Sequence, residues 1–232
     1  MSYRFLISLG FIVALLLVGV VLYPHLPDRM AIHWNASGEV DGYASKPFAV
    51  FLFPLAAFAL WCLFLVIPRI DPLRKNIEQF RGYYEWFVVF MTFFLTVIGV
   101  FVFLWNMGVE MSISALSSGV AESFSEKQGH ITLLHNRVVS VLVGCLFFYI
   151  GILCKYAKRN WFVGIRTPWT LSDDEVWERT HRVGSILFRI SGVVALLGAL
   201  FPKLAIWFIM FPPTVVAVFV VVYSYVVYQQ FH

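Results

Sequence analysis

The chain has 232 residues, of which 60% are hydrophobic, 18% aromatic and only 13% charged. Its 24 phenylalanines outnumber all 17 lysines and arginines, more apolar side chain than a water-soluble fold of this size can hide. This excludes an ordinary soluble domain, and the formal charge of +4 does not indicate nucleic acid, because the bases are dispersed between apolar runs rather than gathered on one patch.

A helix needs about 20 mainly apolar residues to cross the hydrocarbon core of a bilayer. Six windows meet that need, at 5–23, 48–67, 86–107, 137–154, 184–200 and 204–228. The first has Arg4 as its lone base and ends at "YPHLPD" without an A-x-A cleavage pattern, so it reads as a retained helix rather than a signal peptide. The predicted fold is an all-α integral membrane protein of six transmembrane helices with short interfacial helices in its loops, placed in the cell membrane with the lipid bilayer as its first partner.

Orientation follows from the bases. With both termini inside, the inner segments hold Arg4, Arg69, Arg74, Lys75, Arg81, Lys155, Lys158, Arg159, Arg166, Arg179 and Arg182, and the outer ones hold Arg29, Lys46, Lys127, Arg137 and Lys203. This bias predicts N-in, C-in. Tyr83, Tyr84, Trp86, Trp105, Trp161 and Trp169 fall near span ends, as an interfacial aromatic belt would. Three units are expected: an N-terminal membrane domain over 1–108, an outer loop over 109–136 and a C-terminal membrane domain over 137–232.

The first outer loop, "HLPDRMAIHWNASGEVDGYASKP", is rich in turn residues, with Pro47 suited to the first turn of the next helix. It is expected to fold as a compact cap in which His33, Trp34, Asn35, Asp41 and Tyr43 mix polar and aromatic groups suited to gripping a ligand. Ile113, Leu116, Val120 and Phe124 in the second outer loop have helical spacing and predict an amphipathic surface helix. His33, Asp41, His130 and His135 share the outer side, but no HExxH, HxH or close histidine pair joins them, and no metal site is expected.

On the inner side, Leu73, Ile77 and Phe80 predict a surface helix between the second and third spans. The window "GIRTPWTLSDDEVWERTHRVG" at 164–184 is denser. Pro168 pushes Thr167 toward extended backbone, Ser172 and Glu175 have capping-box spacing, and Glu175/Arg179 and Glu178/Arg182 are favourable i, i+4 pairs. The result is an amphipathic helix running into the fifth span, with Trp177 facing lipid or the bundle. Arg189, inside that span, either snorkels to the interface or serves a ligand. In the sixth span, Pro212 and Pro213 are expected to kink or break the helix. Cys62, Cys145 and Cys154 lie in apolar runs and form no metal knuckle or disulfide framework. No GxSxG, HExxH, acidic intramembrane pair or glycine-rich phosphate loop is present, so neither enzymatic activity nor a cofactor is expected.

Two stretches carry a resemblance. "LPDRMAIHWNASGEVDGYASKP" resembles the outer-loop signature of a bacterial and archaeal membrane domain. "NWFVGIRTPWTLSDDEVWERTHRVG" resembles the signature of the SdpI family, immunity proteins against the SDP peptide toxin, in which the two occur in this order. The resemblance implies a polytopic protein that protects its producer from a secreted membrane-active peptide received outside, and that in the type member also sequesters a cytoplasmic transcriptional repressor. It implies a ligand-receiving cap at His33, Trp34, Asn35, Asp41 and Tyr43. It also implies an inner docking face at Arg166, Thr167, Pro168, Trp169, Trp177 and Arg189. The alternative is a small peptide or lipid transporter built from two three-helix halves of opposite orientation.

Overall fold

The computed structural model describes residues 2–35, 39–107 and 124–231, with side chains described from residue 133 in the last stretch. The chain order is α1 (Tyr3–Leu22), β1 (Arg29–Trp34), β2 (Val40–Ser45), α2 (Lys46–Ile70), α3 (Arg74–Gln79), α4 (Arg81–Asn106), α5 (Phe124–Tyr156), α6 (Pro168–Ser172), α7 (Asp174–Leu197) and α8 (Ala205–Phe231). Six of these segments are long and apolar enough to cross a membrane: Tyr3–His25, Lys46–Ile70, Arg81–Asn106, Leu133–Tyr156, Asp174–Leu197 and Pro202–Phe231. The protein is an all-α multi-pass membrane protein in which the loop between the first two spans forms an antiparallel hairpin of β1 and β2. Of the predicted surface helix, Ile113, Leu116 and Val120 lie outside the described residues, as does the side chain of His130, whereas Phe124 is the first residue of α5.

Large apolar residues such as Leu17, Val21, Leu55, Trp207, Phe211 and Val218 are exposed along the spans. In water these would be a liability, but toward acyl chains they are the expected outer surface. Small residues face inward instead. Gly144 on α5 and Gly192 on α7 meet so closely that a Cβ on Gly192 would lie 2.6 Å from the Gly144 carbonyl oxygen. Such small-residue contacts let two membrane helices approach and gain dispersion along their length.

The helices pack as two groups, α1 with α2 and α4, and α5 with α7 and α8, joined along α4 and α5. At the junction Tyr83 stacks on Tyr156 at 3.9 Å and Tyr149 donates to the Tyr83 carbonyl at 2.9 Å. One end carries the hairpin. The opposite end carries α3, the segment 157–167 and α6, where the chain's two halves are stitched by hydrogen bonds.

The structure corrects some expectations and meets others. Tyr84 is not part of an interfacial belt: it is fully buried and donates its hydroxyl to the Phe64 carbonyl at 2.7 Å. The short helix expected after the second span is present as α3, with Ile77 and the following Phe80 buried in the core and Arg74 and Lys75 exposed. Pro212 and Pro213 do not break α8, which runs on through them. The prolines leave the Phe208 and Ile209 carbonyls without their helical N–H donors, and the Thr214 hydroxyl adds a bond to the neighbouring Met210 carbonyl at 2.7 Å. The amphipathic helix expected ahead of the fifth span is present and continuous with it, so that α7 starts ten residues before its apolar window.

Candidate functional site

The hairpin end is built from alternation and two irregularities. The register runs Ala31 to Tyr43, His33 to Gly42 and Trp34 to Val40, with shifts on either side of His33. Asp41 is the extra residue of the second shift, and bulges of this kind re-aim side chains. Its carboxylate meets His33 Nδ1 at 2.5 Å, and both side chains are exposed. Asn35 closes the turn: its backbone N–H donates to the Glu39 carbonyl, its amide to the Glu39 carboxylate, and its side-chain oxygen accepts from the Glu39 N–H. Tyr43 is exposed beneath the Arg29 guanidinium, 4.5 Å from its ring centroid.

Trp34 points the other way. Its ring meets Trp105 edge-on at 5.2 Å and stacks on His135 at 5.5 Å, bridging α4 and α5. Asn106, at the end of α4, clamps the base of the hairpin: its amide oxygen accepts from the Ala31 N–H at 2.8 Å and its amide nitrogen donates to the Ala31 carbonyl at 2.9 Å. The structure thus brings His33, Asp41 and Tyr43 onto an exposed rim, with Asn35 at the turn and Trp34 as their anchor. Among the described residues no group of three or more metal-ligating side chains converges. Replacing Asn106 with alanine is expected to leave both Ala31 backbone groups without their partner, at about 1–3 kcal/mol. The check is faster proteolytic cleavage in the hairpin with unchanged cleavage at the other end.

At the opposite end, the signature window ties itself into a knot. Thr167 has extended backbone, as Pro168 requires, and caps α6: its hydroxyl accepts from the Thr170 N–H while the Thr170 hydroxyl accepts from the Thr167 N–H. The capping box therefore sits at Thr167/Thr170 and not at Ser172/Glu175. Ser172 ends α6, and the Asp173 carboxylate caps α7 by accepting from the Glu175 and Val176 N–H groups. Thr167 also reaches α8, with its hydroxyl 3.0 Å from that of Ser224.

The knot's centre is Trp177 and His181, stacked at 3.9 Å and both buried. Trp177 Nε1–H donates to the Ala157 carbonyl at 2.9 Å, which settles its direction as the bundle interior. His181 Nε2 accepts from the Ile165 N–H at 2.9 Å, so the proton sits on Nδ1, which donates to the Trp177 carbonyl. Both ring nitrogens are committed to structure. Gly164 turns above them with φ of +119°, and a Cβ there would collide with His181 Nε2 and the Trp177 ring. Glycine is required twice over, by conformation and by space.

The knot is bound to the first half of the chain. Asp71, buried at the end of α2, accepts from the Leu73 N–H and the Trp161 N–H. The Asn76 amide donates to the Arg159 carbonyl at 2.7 Å. Of the pairs expected on α7, Arg179 and Glu175 meet at 2.7 Å. Glu178 does not pair with Arg182: it accepts from Lys158 at 2.9 Å, because the bases of α5's end lie alongside. Arg166 is exposed and donates to the Trp161 carbonyl, Pro168 is exposed, and Trp169 packs against Tyr225 at 5.0 Å. Arg189 folds back toward the charged end, its guanidinium donating to the Ser185 carbonyl at 3.0 Å and hydroxyl at 3.3 Å. The structure thus separates Arg166, Pro168 and Trp169, on the outside of the knot, from Thr167 and Trp177 within it. Asn106, Asp71 and His181 were not singled out from the sequence. Asn106 is one polar residue closing an apolar run, the only signal that could have marked it.

Comparison with known proteins agrees with this layout. The model of the SdpI/YfhL protein family matches residues 157–225, covering the knot, α7 and most of α8. That of a domain of unknown function, DUF1648, matches residues 10–58, covering most of α1, the hairpin and the start of α2. A curated relative, the Immunity protein SdpI of Bacillus subtilis (strain 168), is 21% identical over 189 residues, 82% of this chain and 78% of that protein. No solved structure matches. The chain is thus similar to the SdpI/YfhL family over its C-terminal third and to the DUF1648 domain over its first spans, in that order, and to an immunity protein over most of its length.

Proposed function

We propose that the chain is a membrane immunity protein that protects its cell by binding a secreted membrane-active peptide at the hairpin end, oriented N-in, C-in. The observation that carries this reading is the division of labour in the hairpin. His33, Asp41 and Tyr43 are free to meet a ligand, while Trp34 and Asn106 hold the hairpin against α4 and α5. A preorganised rim loses little entropy when it binds, and its anchor spans the line where the two helix groups meet. Occupation of the rim favours one arrangement of α4 against α5, and the junction reaches the knot at the other end. There Arg166, Pro168 and Trp169 form the face that docks a cytoplasmic repressor. Signalling of this kind needs the peptide to bind one arrangement more tightly than the other.

The test is survival. Expression of the chain in a strain sensitive to a secreted SDP-type peptide is expected to restore growth at peptide doses that kill the parent; unchanged killing at full membrane expression would overturn the reading.

A second reading, transport, draws on the cavity of about 380 Å³ between the helix groups, lined by Phe64, Ile67 and Phe87 from one and Ile150, Leu153 and Val220 from the other. Its prediction is different: a labelled peptide would cross proteoliposome membranes containing the protein, whereas an immunity receptor binds it without flux.

A further inference from the structure

A second cavity, of about 460 Å³, opens between the end of α5 and the first half of α7. Its lining includes Lys155, Lys158, Arg182 and Arg189, with Glu178 as its one carboxylate. Glu178 is already taken by Lys158. Arg182 makes no hydrogen bond or close ion pair among the described residues and acts on Glu178 only at longer range, and Arg189 bonds to the neutral Ser185. His181, which also lines the cavity, adds no charge because its Nε2 accepts a hydrogen bond. Cations held without a carboxylate at the edge of a membrane span are costly unless an anion completes them.

From this we infer that the cavity is a binding site for a phosphate-bearing anion, and that the phosphate is the headgroup of an anionic phospholipid. Guanidinium forks and ammonium groups on two helices suit phosphate oxygens, which accept several charge-assisted hydrogen bonds at once. The level is right for a headgroup. Tyr156 ends α5 beside the cavity, and Arg189 reaches it only by snorkelling back one turn along its helix. A track for the acyl chain is also present. Ile186 lines the cavity, and Ile190, Val193 and Leu197 continue the same stripe of α7, all exposed. The stripe joins the cation-lined cavity to the acyl-facing surface of α7, which a lipid's headgroup and chain would occupy together and a soluble phosphate would not. The bound lipid would brace α7 against α5 at the level of the knot.

The full chain, purified in neutral detergent, tests this by native mass spectrometry with phosphatidylglycerol or phosphatidylcholine added. Phosphatidylglycerol is expected to be retained in preference. Arg182→Gln is expected to weaken that binding about fivefold, as loss of one surface cation near an anionic headgroup does, and Arg189→Gln by at least as much. Lys203→Gln, at the hairpin end, is expected to change nothing. If Arg189→Gln does not fold, Arg182→Gln carries the test, because its exposed side chain supports no packing. Inorganic phosphate separates the sources. If it raises the melting temperature of the unaltered chain but not of Arg182→Gln, with no preference between the two lipids, the phosphate site stands and its ligand is soluble. Equal retention of both lipids with no response to phosphate overturns the inference. So does a phosphatidylglycerol preference that survives both arginine substitutions.

Discussion

Replacing Trp177 with alanine is expected to cost about 3–5 kcal/mol of stability, read as a lower melting temperature in detergent and a smaller amount of protein in the membrane. The side chain is 1% exposed and packs in the core cluster with Phe80 and Tyr84 from the other helix group. Its loss opens a cavity where three segments meet, removes the stack on His181, and leaves the Ala157 carbonyl without its indole donor. Trp177→Phe separates these effects. It keeps most of the ring volume and loses the hydrogen bond, at about 1–2 kcal/mol. Arg166→Ala, at an exposed position bonded only to the Trp161 carbonyl, is expected to stay within about 0.5 kcal/mol. Melting in the order alanine at 177, phenylalanine at 177, alanine at 166 would locate the strength of this end in the knot. A Trp177→Ala protein as stable as its parent would show that the knot is not what holds the two halves together.

The spans were legible because lipid imposes a simple rule: a backbone in hydrocarbon must satisfy its own hydrogen bonds over about 20 residues. Five of the six predicted windows fall within the observed helices to within a few residues. The fifth window, 184–200, shows the limit of the rule. Hydropathy marks where α7 enters lipid, whereas Asp173, by capping the first turn, sets where the helix begins. The cap was legible as a compact unit from its turn residues, but its strand pairing was not, because β1 and β2 are each only six residues long and half exposed. The signature was legible as a unit and misread in detail. Thr167, Trp177 and His181 look from the sequence like polar and aromatic groups available for a partner, and they are buried because each satisfies a backbone group of a segment 3 to 20 residues away. Such partners are set by the fold's close approaches, here made possible by Gly164, and no local pattern encodes them. Arg189 illustrates the opposite case. Snorkelling was one of the two readings its position left open, whereas its grouping with Lys155 and Lys158 depended on how α5 lies beside α7.

Asp41→Ala and Tyr43→Ala are expected to abolish protection against the peptide while leaving membrane levels and melting temperature close to those of the parent. The His33–Asp41 pair is 68% and 45% exposed on its two side chains, and exposed pairs contribute about 0–1 kcal/mol to folding. Tyr43 gives up one exposed cation–π contact with Arg29, worth about 0.5–1 kcal/mol. Neither change can unfold a hairpin that Asn106 and Trp34 hold from below. At the centre of a binding rim the same truncations cost about 2 kcal/mol or more of affinity, a weakening of about thirtyfold. The two consequences therefore separate cleanly on the rim and collapse together on the clamp: Asn106→Ala should lower stability and protection in parallel. Protection that survives Asp41→Ala and Tyr43→Ala together would remove the hairpin rim as the peptide's site. The apolar cavity between the helix groups would then become the place to look, because it is lined from both groups and touches the knot at Ile165 and Thr167.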